Sequence, residues 1–157
     1  MRYYRLTDDA GESRLAAESK DGLLSDLTSV DDGISKIEDL AYVSSLSGLT
    51  IDNLTQTILH SGNADTYDLT QIYEDSRNAT GELWVDRPFD PPEVWAAGVT
   101  YKTSQMERRR ESNTPDVYSK VYIADRPEIF FKSTADRCMG PFETIGVRAD
   151  SEWNVPE

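Results

Sequence analysis

The chain has 157 residues, 38% of them apolar, enough for one ordinary domain or a small domain with part of another. Its 29 acids against 16 Lys and Arg give a net charge of −13, which excludes nucleic acid and anionic membrane as partners because phosphates would be repelled. Only five of those bases are Lys, and an acidic, Lys-poor surface suits solubility in concentrated salt, as in a halophile, with attraction to a basic partner as the alternative.

In chain order, "MRYYRLT" alternates and is aromatic-rich, which predicts a first strand, and "ESRLAAES" a second. "DGLLSDLTSV" reads as strand or turn. "SKIEDLAYVSSLSG" places Ile37, Leu40 and Ala41 at helical spacing with Gly48 as a stop. A second helix is predicted from Ile51 to His60, with Leu54, Ile58 and Leu59 on one face and Gly62 after it. His60, near that helix's C-terminus, reads as a dipole-facing or surface residue. "YDLTQIY" is short and alternating. The prolines Pro88, Pro91 and Pro92 make a rigid, non-helical linker. A module boundary is expected there, giving an N-terminal α+β module over residues 1–87 and a second module over residues 88–157.

The charge supports that division. Residues 1–90 carry 18 acids and 7 bases, whereas residues 91–157 carry 11 and 9. After the linker, "EVWAAGVTY" predicts a buried strand, "KTSQMERRRES" a helix, "PDVYSKVYIADRP" a helix or extended segment, and "EIFFKST" and "ETIGVRA" two further strands. Short strands separated by turns suit an open or barrel-like β structure. Cys138 is alone, so an intrachain disulfide and a thiolate zinc site are not expected. The start lacks an apolar h-region and no run approaches a membrane span, so a cytoplasmic location is expected.

Three places offer chemistry. Glu107 lies three residues after Ser104 and would share its helix face, although the run from Glu107 to Glu111 also reads as a solvated face. Lys132 ends an apolar strand, where it must reach water or meet an anion. Asp150, Glu152 and Glu157 would suit a hard cation such as Mg²⁺, although an acid-rich turn is expected from composition alone.

Together these segments resemble the fumarylacetoacetate hydrolase superfamily. "WAAGVTYKTSQMERRRES" is similar to that family's strand and "G-x-N-Y" entry to its active site. "RPEIFFKST" followed by "MGPFETI" resembles its "P-x-x-F-x-K-P … G-P-x-x-x-I" segment, and "ADSEWNVPE" the lead into its Glu-x-Glu metal motif. The match is nearest to the branch acting on 2-keto-3-deoxypentonates, the arabinonate and xylonate dehydratases, with an archaeal, salt-adapted member in view. The resemblance implies a small α+β module followed by the beginning of a catalytic β-roll. It also implies a Mg²⁺-dependent lyase taking a sugar-acid substrate to 2,5-dioxopentanoate, and a homo-oligomer at full length. By the same resemblance Glu157 is the first metal carboxylate, Lys132 contacts the substrate carboxylate or enolate, and Glu107 is the acid/base. Tyr101, Ser104 and Arg108 would line the pocket.

One departure bears on the chemistry. Ser104 stands where hydrolytic members carry a His, which removes the base that would activate water for C–C hydrolysis. The second Glu and the later Asp of the metal motif have no counterpart, so the chain is expected to be the N-terminal portion of the enzyme and inactive alone. It is also expected to expose apolar strand edges. A fragment of an acylpyruvate or fumarylacetoacetate-type hydrolase, and a non-enzymatic acidic binding module, are the competing readings.

Overall fold

The computed structural model describes residues 1–20, 22–147, 149 and 150. It divides into two compact units, one formed by Met1–Asp90 together with the described residues after Cys138, the other by Pro91–Cys138.

The first unit is built on a five-stranded antiparallel sheet. Its strands are β1 (Arg2–Asp8), β2 (Ser13–Lys20), β3 (Leu23–Asp26), β4 (Thr66–Asp68) and β5 (Leu83–Val85), in the order β4-β3-β2-β1-β5. The middle strand β2 runs Leu15-Ala16-Ala17, all buried, and its alternation sends side chains to both faces. Leu15 and Ala17 join Leu27, Ile34, Leu40, Leu54 and Ile58 in one core, whereas Ala16 joins Leu6, Leu24, Ile72 and Val85 in the other. β1 splits in the same way, Tyr3 packing against the first core and Tyr4 against the second.

Three helices supply the apolar stripes that cover these faces. α1 (Ile37–Ser47) starts where Asp39 Oδ2 accepts from the Lys36 amide at 2.9 Å, and it stops at Gly48, whose φ of 71° is left-handed. α2 (Ile51–Ser61) is capped by Thr50 Oγ1, which accepts from Asn53 N at 3.2 Å. Both contribute to the first core through Leu40, Leu54 and Ile58. α3 (Leu69–Asn78) covers the opposite face through Ile72. Its sequence "YDLTQIY" alternates, yet only Thr66–Asp68 is strand. Asp68 Oδ1 then accepts from Thr70 N at 2.8 Å and Gln71 N at 3.1 Å, and this two-bond cap turns the chain into a helix.

The second unit pairs β6 (Glu93–Ala97) antiparallel with β7 (Ile129–Thr134) and joins them through α4 (Lys102–Glu111) and α5 (Pro115–Tyr122). The mixed helix-and-strand class is as expected. Two sequence expectations fail, one in this unit and one in the residues after Cys138. The strand predicted as buried is only half covered, with Trp95 56% exposed, because a two-stranded ribbon has no second layer over both faces. "ETIGVRA" forms no strand over residues 143–147. No helix among the described residues is long and apolar enough to cross a membrane.

Candidate functional site

The candidate side chains Tyr101, Ser104, Glu107, Arg108 and Lys132 all belong to the second unit. β6 runs into Gly98, whose amide donates to the Glu128 carbonyl at 2.7 Å, extending the β6–β7 pairing by one bond. A Cβ at Gly98 would lie 3.1 Å from Glu128 Oε2, the end of an exposed side chain that can swing aside. Val99 follows with φ of 48°, a left-handed conformation that a β-branched residue rarely adopts. The turn then delivers Tyr101 to the N-cap of α4 with an extended backbone and a 72% exposed side chain.

Along α4, Ser104, Glu107 and Arg108 stand at i, i+3 and i+4, on one face. Glu107 Oε2 lies 3.9 Å from Arg110 Nη1, and Arg108 Nη1 lies 3.8 Å from Glu111 Oε2. Both are exposed, long pairs of the kind that contributes little to stability. They leave the carboxylate of Glu107 accessible to an incoming group. Arg108, Arg109 and Arg110 occupy the last turn, where cations complement the helix dipole. Residues 91–138 hold eight bases and seven acids, so this unit lacks the anionic excess of the rest of the chain.

Lys132 is placed by an irregularity that the sequence did not announce. Val94 pairs with Ser133 and Trp95 pairs with Phe131, which leaves Lys132 as the extra residue of a β-bulge in β7. A bulge re-aims the side chain it carries and often stands beside a functional site. Next to it, Trp95 and Phe131 make an edge-to-face pair, 5.8 Å between centroids at 82°. Trp95 Nε1 donates to Glu93 Oε2 at 2.8 Å. Lys132 therefore sits on an apolar ribbon, while the other four candidates sit on the helical hairpin that connects its strands.

Glu157, the expected metal carboxylate, and Glu152 lie outside the described residues. Asp150 is described and exposed. Among the described residues no group of three or more His, Cys, Asp or Glu is placed to hold a metal ion. His60 lies in the last turn of α2 and is exposed.

Sequence reasoning missed an ionic network in the first unit. Asp26 is fully buried and accepts from Arg14 Nη1 at 2.9 Å, Tyr67 OH at 3.0 Å and Ser29 N at 3.2 Å. Burial, reinforced by the Asp26 charge, pushes the Tyr67 phenol up to about 12. Arg14 and Tyr67 also line an open cavity of about 460 Å³ with Asp8, Asp9, Asp75 and Glu82. All of its walls belong to the first unit, whereas every described candidate for chemistry except Asp150 belongs to the second. A polar residue on the inward-facing side of a central strand was the available signal.

No family model matches the chain. It is 43% identical, over its whole length, to a probable 2-keto-3-deoxyxylonate dehydratase of Haloferax volcanii, of which it covers 50%. Over 48% of its length it is 48% identical to a 2-dehydro-3-deoxy-D-arabinonate dehydratase of Saccharolobus solfataricus, covering 27% of that protein. Its whole length also superposes on 48% of an apo 2-keto-3-deoxy-D-arabinonate dehydratase, with a TM-score of 0.66 and 29% identity. A second such structure, complexed with magnesium and 2,5-dioxopentanoate, gives a TM-score of 0.65 at 28% identity over 47% of that chain. The chain thus spans about half the length of the first of these curated relatives.

Proposed function

We propose that this chain, which is homologous over its whole length to the 2-keto-3-deoxypentonate dehydratases, serves a cytoplasmic lyase that removes water from a 2-keto-3-deoxypentonate to give 2,5-dioxopentanoate. The observation that carries this reading is the full-length 43% identity to the Haloferax protein. The acidic, Lys-poor composition fits a salt-adapted relative of the same kind.

In this reading the catalytic module begins at the proline linker. Lys132, set out by its bulge, holds the substrate carboxylate through its ammonium group. Glu107 removes the C3 proton, and the C3–H electron pair becomes the C3–C4 double bond as the C4–O bond breaks. The same carboxyl returns the proton to the departing hydroxyl, which leaves as water. The resulting 3-ene tautomerises, and C5 becomes the aldehyde. Tyr101, Ser104 and Arg108 orient the chain of the sugar acid. Ser104 supplies no imidazole to activate water, which disfavours hydrolytic C–C cleavage. Magnesium, present in the solved relative with product, would supply Lewis-acid polarisation of the substrate's keto group. The described residues alone do not form a ligand set for it, and Glu157 is the proposed first carboxylate.

The exposed apolar side chains of the ribbon, Trp95, Ile129, Phe130 and Phe131 among them, form the surface on which the catalytic module would be completed in a protein of the relatives' length, itself a homo-oligomer. The test is aldehyde formation from 2-keto-3-deoxyxylonate and 2-keto-3-deoxyarabinonate with Mg²⁺. The chain should be assayed alone and fused to the complementary half of the Haloferax protein. Turnover by the fusion, abolished by a chelator, is expected, with none from the chain alone. A fusion that folds and binds Mg²⁺ yet gives no aldehyde from either substrate would refute the reading.

A further inference from the structure

The chain leaves the first unit after Asp90 and returns to it at Met139. Tyr101, Ser104, Glu107, Arg108 and Lys132 therefore all lie on one excursion whose two ends are carried by the first unit. Both ends are fastened there by named side chains.

On the outgoing side, Arg5 of β1 points its guanidinium at two carboxylates. Its Nη1 donates to Asp90 Oδ2 at 2.7 Å, and its Nη2 lies 3.4 Å from Asp86 Oδ2. The side chain of Arg5 is only 11% exposed, so these pairs are partly shielded from water. The other oxygen of Asp90 accepts from Arg87 Nε at 2.6 Å. Asp86 also accepts from the Thr7 hydroxyl at 2.9 Å and from the Arg87 amide at 2.7 Å. Arg5 followed by Arg87 holds the Asp90 carboxyl below the usual carboxylate range.

On the returning side, Gly140 comes so close that an added Cβ would lie 3.2 Å from the Arg87 backbone nitrogen and 3.3 Å from Asp86 Oδ1. Its amide donates to Glu143 Oε2 at 2.5 Å, which closes a turn. Phe142, inside that turn, has φ of 67°, an uncommon conformation for a bulky residue. Its ring stands edge-on to Tyr73 of α3, 5.9 Å between centroids at 80°, with the Arg77 guanidinium 5.5 Å from the ring centre. Docking of the ring against α3 offsets the cost of that backbone.

We infer that residues 86–90 and 140–143 form one two-strap clamp, with Gly140 as the contact between straps and Phe142 as the latch, so that loosening either strap loosens the other. The clamp does not depend on any dehydratase chemistry. It accounts for the "MGPFE" segment, whose residues line none of the proposed steps.

Peptide-resolved hydrogen exchange on the chain tests it, with Phe142→Ala opening the return strap and Asp90→Asn opening the outgoing one. Peptides covering residues 84–92 and 138–146 report the straps, and a peptide over β2 and β3 reports the core. Phe142→Ala should raise exchange about five- to tenfold in both strap peptides while leaving the β2–β3 peptide unchanged. Asp90→Asn should do the same from the other side. Acceleration confined to the mutated strap in both variants would overturn the coupling. An equal rise in the β2–β3 peptide would overturn the clamp as a local device.

Discussion

Replacing Arg14 by Met removes the cation from the one fully buried carboxylate described in the chain. Asp26 has no solvent access, and it would keep only the Tyr67 hydroxyl at 3.0 Å and the Ser29 amide at 3.2 Å. Breaking a fully buried pair from one side costs about 3–5 kcal/mol. The Arg14 side chain is itself 35% exposed, so water already screens part of the attraction. Two of the three donors to the Asp26 carboxylate also survive. The expected loss is therefore about 2–3 kcal/mol. Urea unfolding at pH 7 should show a lower midpoint with an unchanged slope. Adding Asp26→Asn to the same chain should return part of the loss, because the uncompensated charge is then gone. A single variant that loses less than about 0.5 kcal/mol, the range of ordinary surface changes, would mean that Arg14 does not compensate the buried Asp26 charge.

Further outcomes follow from the same contacts. The Tyr67 phenol is raised from 10.0 to about 12, so the stability it contributes is fully present below pH 10 and is lost as pH rises towards 12. Discounted for partial solvent access, that limb is roughly 1–2 kcal/mol, and it should vanish in Tyr67→Phe when unfolding is followed against pH. Leu40→Ala empties a fully buried position in the core beneath α1 and should cost about 2–5 kcal/mol by thermal or urea unfolding. In the active fusion, Lys132→Ala should lower kcat/KM by about tenfold or more, with Lys132→Arg recovering part of it, while the unfolding midpoint stays near the parent's.

The sequence was most legible where local signals agree. Leu40, Leu54 and Ile58 fall at helical spacing between a polar start and a glycine stop, and the helices they predict are present. α3 was illegible because Tyr67, Leu69 and Tyr73 also fit the alternation of a short strand, and the choice is made by Asp68 capping two amides. Trp95 misled for a different reason: its apolar neighbours promised a buried strand, but burial depends on layers that a local stretch cannot specify. The helix carrying Ser104, Glu107 and Arg108 was readable from its good helix formers. The bulge that sets Lys132 apart was not, since it arises from the pairing register between β6 and β7. Asp26 itself left a signal as a polar residue within a strand, but its Tyr67 partner did not, because Tyr67 stands 41 residues along the chain.

Dehydration of a 2-keto-3-deoxypentonate is the reaction we propose this chain to serve. The most direct measurement is carbon NMR of 2-keto-3-deoxyxylonate labelled throughout with ¹³C, incubated with Mg²⁺ and the chain fused to the complementary half of its Haloferax relative. Dehydration predicts loss of the C4 carbinol signal and growth of a C5 aldehyde within an intact five-carbon product, slowed strongly by Glu107→Gln. Pyruvate and glycolaldehyde, the products of breaking the C3–C4 bond, would contradict it.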